Sequence, residues 1–171
     1  MTDKSLTHAY LKKCFDYCPE TGIVRWKISN ARRKKGEEAG YLSYGYRRIG
    51  IKGGDYPAHR LIWFLQTGEW PKLEIDHINH IRDDNRWENL RQVSSLLNGR
   101  NLPLKKSNIS GHTGVFWHKV NKNWCAQVSV NGKAKHLGSF QEKADAIKAR
   151  QEANKEYGFH ENHGVMQNGI L

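Results

Sequence analysis

The stretch from Glu74 to Arg100, EIDHINHIRDDNRWENLRQVSSLLNGR, constrains the fold of this chain more than any other part of the sequence. The residues that lead into Asp76 and His77 alternate in polarity, as in a short β-strand that ends at this pair. Apolar residues just after Asn89 indicate a second strand, and Ser94 then fits the N-cap of a short helix. The stretch therefore predicts a strand–loop–strand–helix unit.

The polar residues of this unit are those that a single metal site and a proton acceptor require. Asp76 provides a carboxylate oxygen for a hard cation, and Asn98 in the predicted helix would lie near it, on one side of His77. The imidazole of His77, with an ordinary pKa of about 6.5, can take up a proton at physiological pH. Asn89 is uncharged, so we expect it to form hydrogen bonds with the loop and to hold His77 in place. Oxygen ligands favour Mg²⁺ or Mn²⁺ over zinc, so we expect one divalent cation of this kind.

The run AHRLIWFLQTGEWPKLEIDHINHIRDDNRWENLRQV carries a family resemblance. It resembles the H-N-H nucleases, in particular the homing endonucleases of phage type, and the resemblance extends over residues 6–101. The first histidine of that family falls on His77, its central asparagine on Asn89, and its last metal-ligand position on Asn98, where many relatives have histidine. The resemblance implies a ββα-metal fold and hydrolysis of a DNA phosphodiester. It further implies His77 as general base, Asn89 as a catalytic partner, and a metal on Asp76 and Asn98.

The charge distribution predicts a polyanionic partner. The chain has a formal net charge of +11 and a pI near 9.7, and it contains no acidic residue from Asn89 to Gln141. Such an uninterrupted stretch of one sign favours a continuous track for phosphate groups over a solvated face, in which acids would be interspersed. We therefore expect double-stranded DNA as the partner. The basic residues of this track that precede the last third of the chain are Arg91, Arg100, Lys105 and Lys106.

Alternating residues in the last third of the chain predict a small antiparallel sheet with strands at Val115–Trp117, Trp124–Val130 and Lys135–Leu137. Asn131 and Gly132 form the strongest hairpin signal in the chain, between the second and third strands. A helix with recurring alanines follows, and Ser139 with Glu142 has the spacing of a capping box at its start. The helix would cover one face of the sheet and leave the other face free.

The segment SGHTGVFWHKVNKNWCAQVSVNGKAKHLGSFQEKADAIKARQEANKEYG resembles the DNA-binding domain of plant ethylene-response transcription factors. That domain lays its sheet in the major groove of DNA, so the resemblance implies a DNA reader. The candidate DNA contacts, carried over by strand position, are Trp117, Lys119, Trp124, Gln127, Ser129, Lys133, Lys135 and His136. The residues expected in the core beneath them are Val115, Ala126, Val128, Leu137 and Phe140.

These observations together predict an α+β protein with two domains. We expect an H-N-H nuclease domain with a strand-rich N-terminal extension at residues 1–104, a reader domain at residues 105–158, and a flexible tail at residues 159–171. No apolar run approaches the ~20 residues of a membrane span. The three cysteines form no Cys-x-x-Cys pair, and we expect them to be reduced, as in the cytoplasm of a bacterial or phage-infected cell.

The expected function is that of a metal-dependent, site-directed DNA endonuclease of homing type, monomeric on DNA. Two alternatives stay open. One is a non-catalytic DNA-binding regulator that has kept the scaffold, and the other is a defence or packaging nuclease with little sequence preference. The complete set of Asp76, His77, Asn89 and Asn98 speaks against the first. The appended reader speaks against the second, because contacts to base edges are what supply specificity.

Overall fold

A computed structural model describes residues 6–165 of the chain. These residues fall into two compact units, which divide between Ser95 and Leu96 and which we call the first and the second unit. Within this described part, no helix is long and apolar enough to cross a membrane. Both units mix short strands with helices, so the predicted α+β class is confirmed.

The first unit contains, in chain order, α1 (His8–Cys14), β1 (Phe15–Tyr17), β2 (Val24–Trp26), β3 (Tyr41–Ser43), β4 (Tyr46–Ile51), β5 (Gly54–Pro57), α2 (Ala58–Thr67), β6 (Glu74–His77) and β7 (Leu90–Val93). Strands β1 and β2 form a hairpin, β3, β4 and β5 form a sheet in that order, and β6 pairs with β7. All these pairings are antiparallel. The strands have only three to six residues each, so each small sheet depends on a common core.

Helix α2 supplies much of that core. Its side chains Leu61 and Ile62 are fully buried, and Phe64 and Leu65 are nearly so. Burying one side chain of this size contributes roughly 1.5–3 kcal/mol of transfer free energy. The helix ends at Gly68, whose φ of 78° is a left-handed conformation that glycine adopts without strain. Helix α2 packs against β4, β5 and α1, and it shares one apolar core with the β6–β7 pair.

The β6–β7 pair has the predicted form. Its register joins Glu74 to Val93 and His77 to Leu90, and the side chains of Ile75 and Leu90 enter the same core as α2. A short helix, α3 (Ser95–Gly99), follows β7. The hydroxyl of Ser95 donates a hydrogen bond of 2.6 Å to the Glu74 carboxylate, which ties the start of α3 to β6. The expected ββα order is therefore confirmed.

The second unit contains β8 (Val115–His118), β9 (Asn123–Val130), β10 (Lys133–Phe140) and α4 (Lys143–Glu156). The strands are antiparallel in the order β10-β9-β8, and Asn131 and Gly132 form the turn between β9 and β10, both with positive φ. Val115, Ala126 and Ala146 form the core between sheet and helix. The predicted sheet followed by one helix is confirmed, and the likeness to plant transcription factors stays a prediction.

Two local expectations for the second unit need correction. Ser139 does not cap α4, because it lies within β10, opposite Cys125 of β9. Glu142 occupies the N-cap position of α4 and forms no side-chain hydrogen bond there. Residues 159–165 do not form a free tail, since their backbone bonds to residues 100–104. These bonds run from His160 to Arg100, from Gly164 to Leu102 and from Leu104 to Val165. Residues 166–171, the rest of the expected tail, lie outside the described residues.

Candidate active site

His77 lies at the end of β6 and is only 6% exposed. Its Nε2 is 3.2 Å from Oδ1 of Asn85, and the ring of His59 in α2 meets it edge to face with centroids 5.1 Å apart. The amide nitrogen of Asn85 donates to the backbone oxygen of Asp83, which turns the amide oxygen towards His77. Neutral His77 therefore carries its proton on Nε2. Nδ1 is then the nitrogen that can take up a proton.

The surroundings of His77 favour its neutral form. Burial lowers the pKa of His77 below its usual value, while the hydrogen bond that His77 donates to Asn85 and the nearby carboxylates Asp76, Asp84 and Asp83 act in the opposite direction. Burial also lowers the pKa of the neighbouring His59 to about 3, and the positive charge that His77 carries when protonated adds to that effect. His77 is thus available as a base at neutral pH, and His59 is a neutral packing partner.

Asp76 precedes His77 in β6, so the two side chains leave the strand on opposite faces. The Asp76 carboxylate is buried and accepts two hydrogen bonds on Oδ2, from Nε and Nη2 of Arg91, at 3.0 and 2.8 Å. A carboxylate with an amide oxygen suits Mg²⁺, which is held by one or two carboxylates and keeps several water ligands. The chemistry of the predicted ligands Asp76 and Asn98 therefore fits such an ion. Asn98 lies in α3, and its part in the site stays a prediction.

Asn89 holds the loop between β6 and β7. Its side-chain oxygen accepts from the backbone nitrogen of Asn79 at 3.0 Å, and its nitrogen donates to Oδ1 of Asn79 and to the backbone oxygen of Asp84. These contacts agree with the role predicted in the loop. The hydrogen-bond acceptor of His77 is Asn85, a residue that the sequence analysis did not single out. The sequence feature that could have identified Asn85 is its position next to Asp84 in this polar loop.

The β1–β2 hairpin supports the loop at Asn85 from the other side. The hydroxyl of Tyr17 donates to the backbone oxygen of Asn85 at 2.8 Å, and the backbone nitrogen of Trp87 donates to the oxygen of Pro19. Gly22 has a φ of 75°, and a Cβ there would lie 2.5 Å from the backbone of Asn85. The strand-rich N-terminal extension is thus part of the site, because it fixes the residue that orients His77.

The four basic residues predicted around the first motif differ in their surroundings. Arg91 is held by Asp76, and the guanidinium of Arg100 lies 5.6 Å from the centroid of the Phe159 ring. Lys105 and Lys106 are exposed. The two lysines are accessible to a phosphate backbone, whereas Nε and Nη2 of Arg91 already have an acceptor.

The register of the second unit corrects the predicted reading face. Trp117 pairs with Trp124, which packs against the core under α4. Lys135 pairs with the buried Val128, and its Nζ donates to the hydroxyl of Tyr157 at the end of α4. Residues opposite each other or two apart on a strand share a face. The placement on the open face is therefore wrong for Trp117, Trp124, Lys133 and Lys135.

The open face of the sheet carries Gln127, Ser129 and His136, which are all exposed. His136 pairs with Gln127 in the register of β9 and β10. Two residues that the sequence analysis missed share this face, Phe116 opposite Cys125 and Ala134 opposite Ser129. The remaining candidate, Lys119, lies in the turn between β8 and β9 and is exposed.

Comparisons with known proteins agree with this geometry. Residues 56–100 match the family described as HNH endonuclease, and this span includes Asp76, His77, Asn85, Asn89 and Asn98. Protein 3.8 of Escherichia phage T7 is 33% identical over 82 residues, which are 47% of this chain and 68% of that protein. No solved structure matches the chain significantly. Nucleases of this kind generally use a divalent metal ion, and their substrate is DNA. The chain therefore belongs to the HNH endonuclease family.

Proposed function

We propose that the chain is a metal-dependent, site-directed DNA endonuclease of homing type. It would hydrolyse a DNA phosphodiester with His77 as general base and with one Mg²⁺ or Mn²⁺ ion on Asp76 and Asn98. The observation that carries the proposal is the buried, neutral His77, oriented by Asn85 and adjacent to a buried carboxylate, within the residues that match the family.

The chemistry assigned to His77 follows from its hydrogen bond. Because Nε2 donates to Asn85, Nδ1 accepts the proton of the water that attacks the phosphorus atom in line with the leaving 3′ oxygen. Asp76 and Asn98 would hold the divalent ion, whose charge offsets the negative charge that develops on the leaving oxygen. The hydrogen bond from the Asn89 side chain to the backbone oxygen of Asp84 stabilises the loop, so that Asn85 stays in contact with His77 during the reaction.

Double-stranded DNA is the proposed partner, and the bacterial or phage-infected cytoplasm is the proposed location. The net charge of +11 and the exposed Lys105, Lys106, Lys119 and Lys122 support binding to phosphate groups. The open face with Gln127, Ser129 and His136 supports reading of base edges in the major groove. We expect one active site per chain, so a monomer that nicks one strand is the simplest arrangement.

The metal requirement is tested by chelation. Cleavage of a plasmid that contains the target is expected to require Mg²⁺ or Mn²⁺ and to stop in EDTA, because the charge on the leaving oxygen is then not offset. Asp76→Ala should reproduce the effect of EDTA, whereas Glu69→Ala, at an acid whose side chain is 75% exposed, should cleave like the wild type. Full cleavage in EDTA would rule out the proposed mechanism.

The reading face is tested by a pair of substitutions. Gln127→Ala is expected to relax sequence preference at one or two base pairs, at a cost of about 1–3 kcal/mol in specific binding. Lys135→Met is the matched control, because Lys135 lies on the helix side and bonds to Tyr157. Selection of binding sites from a randomised DNA library, at matched salt, measures both. Relaxed preference in Lys135→Met alone would show that the open face does not read DNA.

A further inference from the structure

We infer that Arg91 is a positioning residue for the metal ligand Asp76. This inference rests on the proposed function, since it concerns the same site. Arg91 and Asp76 lie directly opposite each other in the β6–β7 register. The carboxylate side chain is 9% exposed and the guanidinium side chain 28% exposed, with the shortest nitrogen–oxygen distance at 2.8 Å. The contact is therefore part of the strand pair and not a chance meeting of long surface side chains.

The burial of Asp76 explains why it needs this partner. An ionised carboxylate removed from water is costly unless a positive charge and hydrogen bonds compensate it. Arg91 supplies both, because Nε and Nη2 converge on the single oxygen Oδ2. The planar guanidinium also defines the direction in which the carboxylate points, which a flexible lysine does not do. A hydrogen-bonded carboxylate of fixed direction is what a metal ligand requires.

The same geometry removes Arg91 from the predicted DNA contacts. Nε and Nη2 of Arg91 already serve a buried carboxylate, and a phosphate that drew the guanidinium away would leave Asp76 uncompensated. Lys105 and Lys106 are exposed and have no such cost. We therefore assign Arg91 to the metal site and the lysines to the phosphate backbone.

Two effects of Arg91 on a bound cation oppose each other, and they can be separated. Its positive charge repels a divalent ion, so its removal by charge alone would tighten metal binding. The N–H groups on Nε and Nη2 of Arg91 orient Asp76. Losing this pair of donors would weaken metal binding by about 10–100-fold, the usual cost of losing a partner that orients a ligand. Our inference is that orientation dominates.

The experiment titrates the full-length protein with Mn²⁺ alone, without DNA, and follows free Mn²⁺ by electron paramagnetic resonance. Arg91→Met removes both the charge and the paired N–H donors of the guanidinium, whereas Arg91→Lys keeps the charge and loses the paired donors. Both are expected to bind Mn²⁺ about 10–100-fold more weakly than the wild type. Arg48→Met is the control, because Arg48 forms a similar pair with Asp55 at 2.6 Å, in which both side chains are more exposed than those of Arg91 and Asp76. It should leave the affinity unchanged.

The outcomes separate this inference from the proposed function. If Arg91→Met binds Mn²⁺ more tightly and Arg91→Lys binds like the wild type, charge dominates and the positioning role is overturned. Circular dichroism of each variant shows whether it is folded, and Arg91→Lys alone decides the question should Arg91→Met not fold. If Asp76→Ala binds Mn²⁺ as well as the wild type does, the metal site itself is misassigned and the proposed function fails with it.

Discussion

Replacing His77 with alanine is expected to slow DNA cleavage by about 10²–10⁴-fold and to leave DNA affinity nearly unchanged. A general base contributes this much to the rate of proton transfer and little to binding of the ground state. His77 is suited to the role because burial lowers its pKa and Asn85 fixes the proton on Nε2. Single-turnover cleavage and fluorescence anisotropy with labelled DNA measure the two quantities separately.

Two further variants sharpen this comparison. Asn85→Leu should lower the cleavage rate and also change its dependence on pH, because His77 loses the acceptor that fixes its tautomer. His112→Ala is the matched control, since His112 is exposed and has no role in the proposed site. Equal losses of binding and cleavage in His77→Ala would make His77 a structural residue and would contradict its role as the base.

The second large effect concerns acid stability. The pKa of His59 falls to about 3 in the folded protein, whereas an unfolded chain has the ordinary value of about 6.5. Between these values the unfolded chain binds the extra proton, so the free energy of unfolding falls as the pH drops from about 6.5 towards about 3. The full shift corresponds to roughly 4–5 kcal/mol at the acid end. His59→Phe removes the side chain that takes up this proton, so the free energy of unfolding should fall less steeply as the pH drops.

Hydrogen exchange of the α2 amides at pH 7, 6, 5 and 4 measures this stability within the first unit, with rates corrected for the intrinsic effect of pH. We expect the curves of the wild type and His59→Phe to diverge as the pH falls. The His112→Gln variant should follow the wild type, because His112 is exposed and lies in the second unit. Parallel curves for wild type and His59→Phe would show that His59 is not held neutral by the fold.

Local patterns were sufficient for the elements that build the site. The strands that end at His77 and begin after Asn89 follow from alternation, because successive side chains in a strand point to opposite faces. The end of α2 at Gly68 and the turn at Asn131 and Gly132 follow from backbone conformations that few other residues adopt. Each of these features depends on neighbours within a few residues. The order of elements could therefore be predicted around the site and in the second unit.

The partners of the site residues depended on the tertiary structure. The loop that brings Asn85 to His77 is also held by the β1–β2 hairpin, which is distant in the sequence and packs against the loop through Tyr17 and Gly22. Arg91 meets Asp76 because the β6–β7 register places them opposite each other, and a shift of one residue would separate them.

The face of a strand residue likewise depends on which strand it pairs with and on where the register shifts. Lys135 and His136 both looked suited to DNA in the sequence. The pairing of β9 with β10 turns Lys135 towards α4 and His136 towards the open face. Composition and spacing identify the chemical groups that a chain possesses. Pairing and packing between distant segments decide which of those groups meet, because a side chain's direction is set by contacts that no local pattern contains.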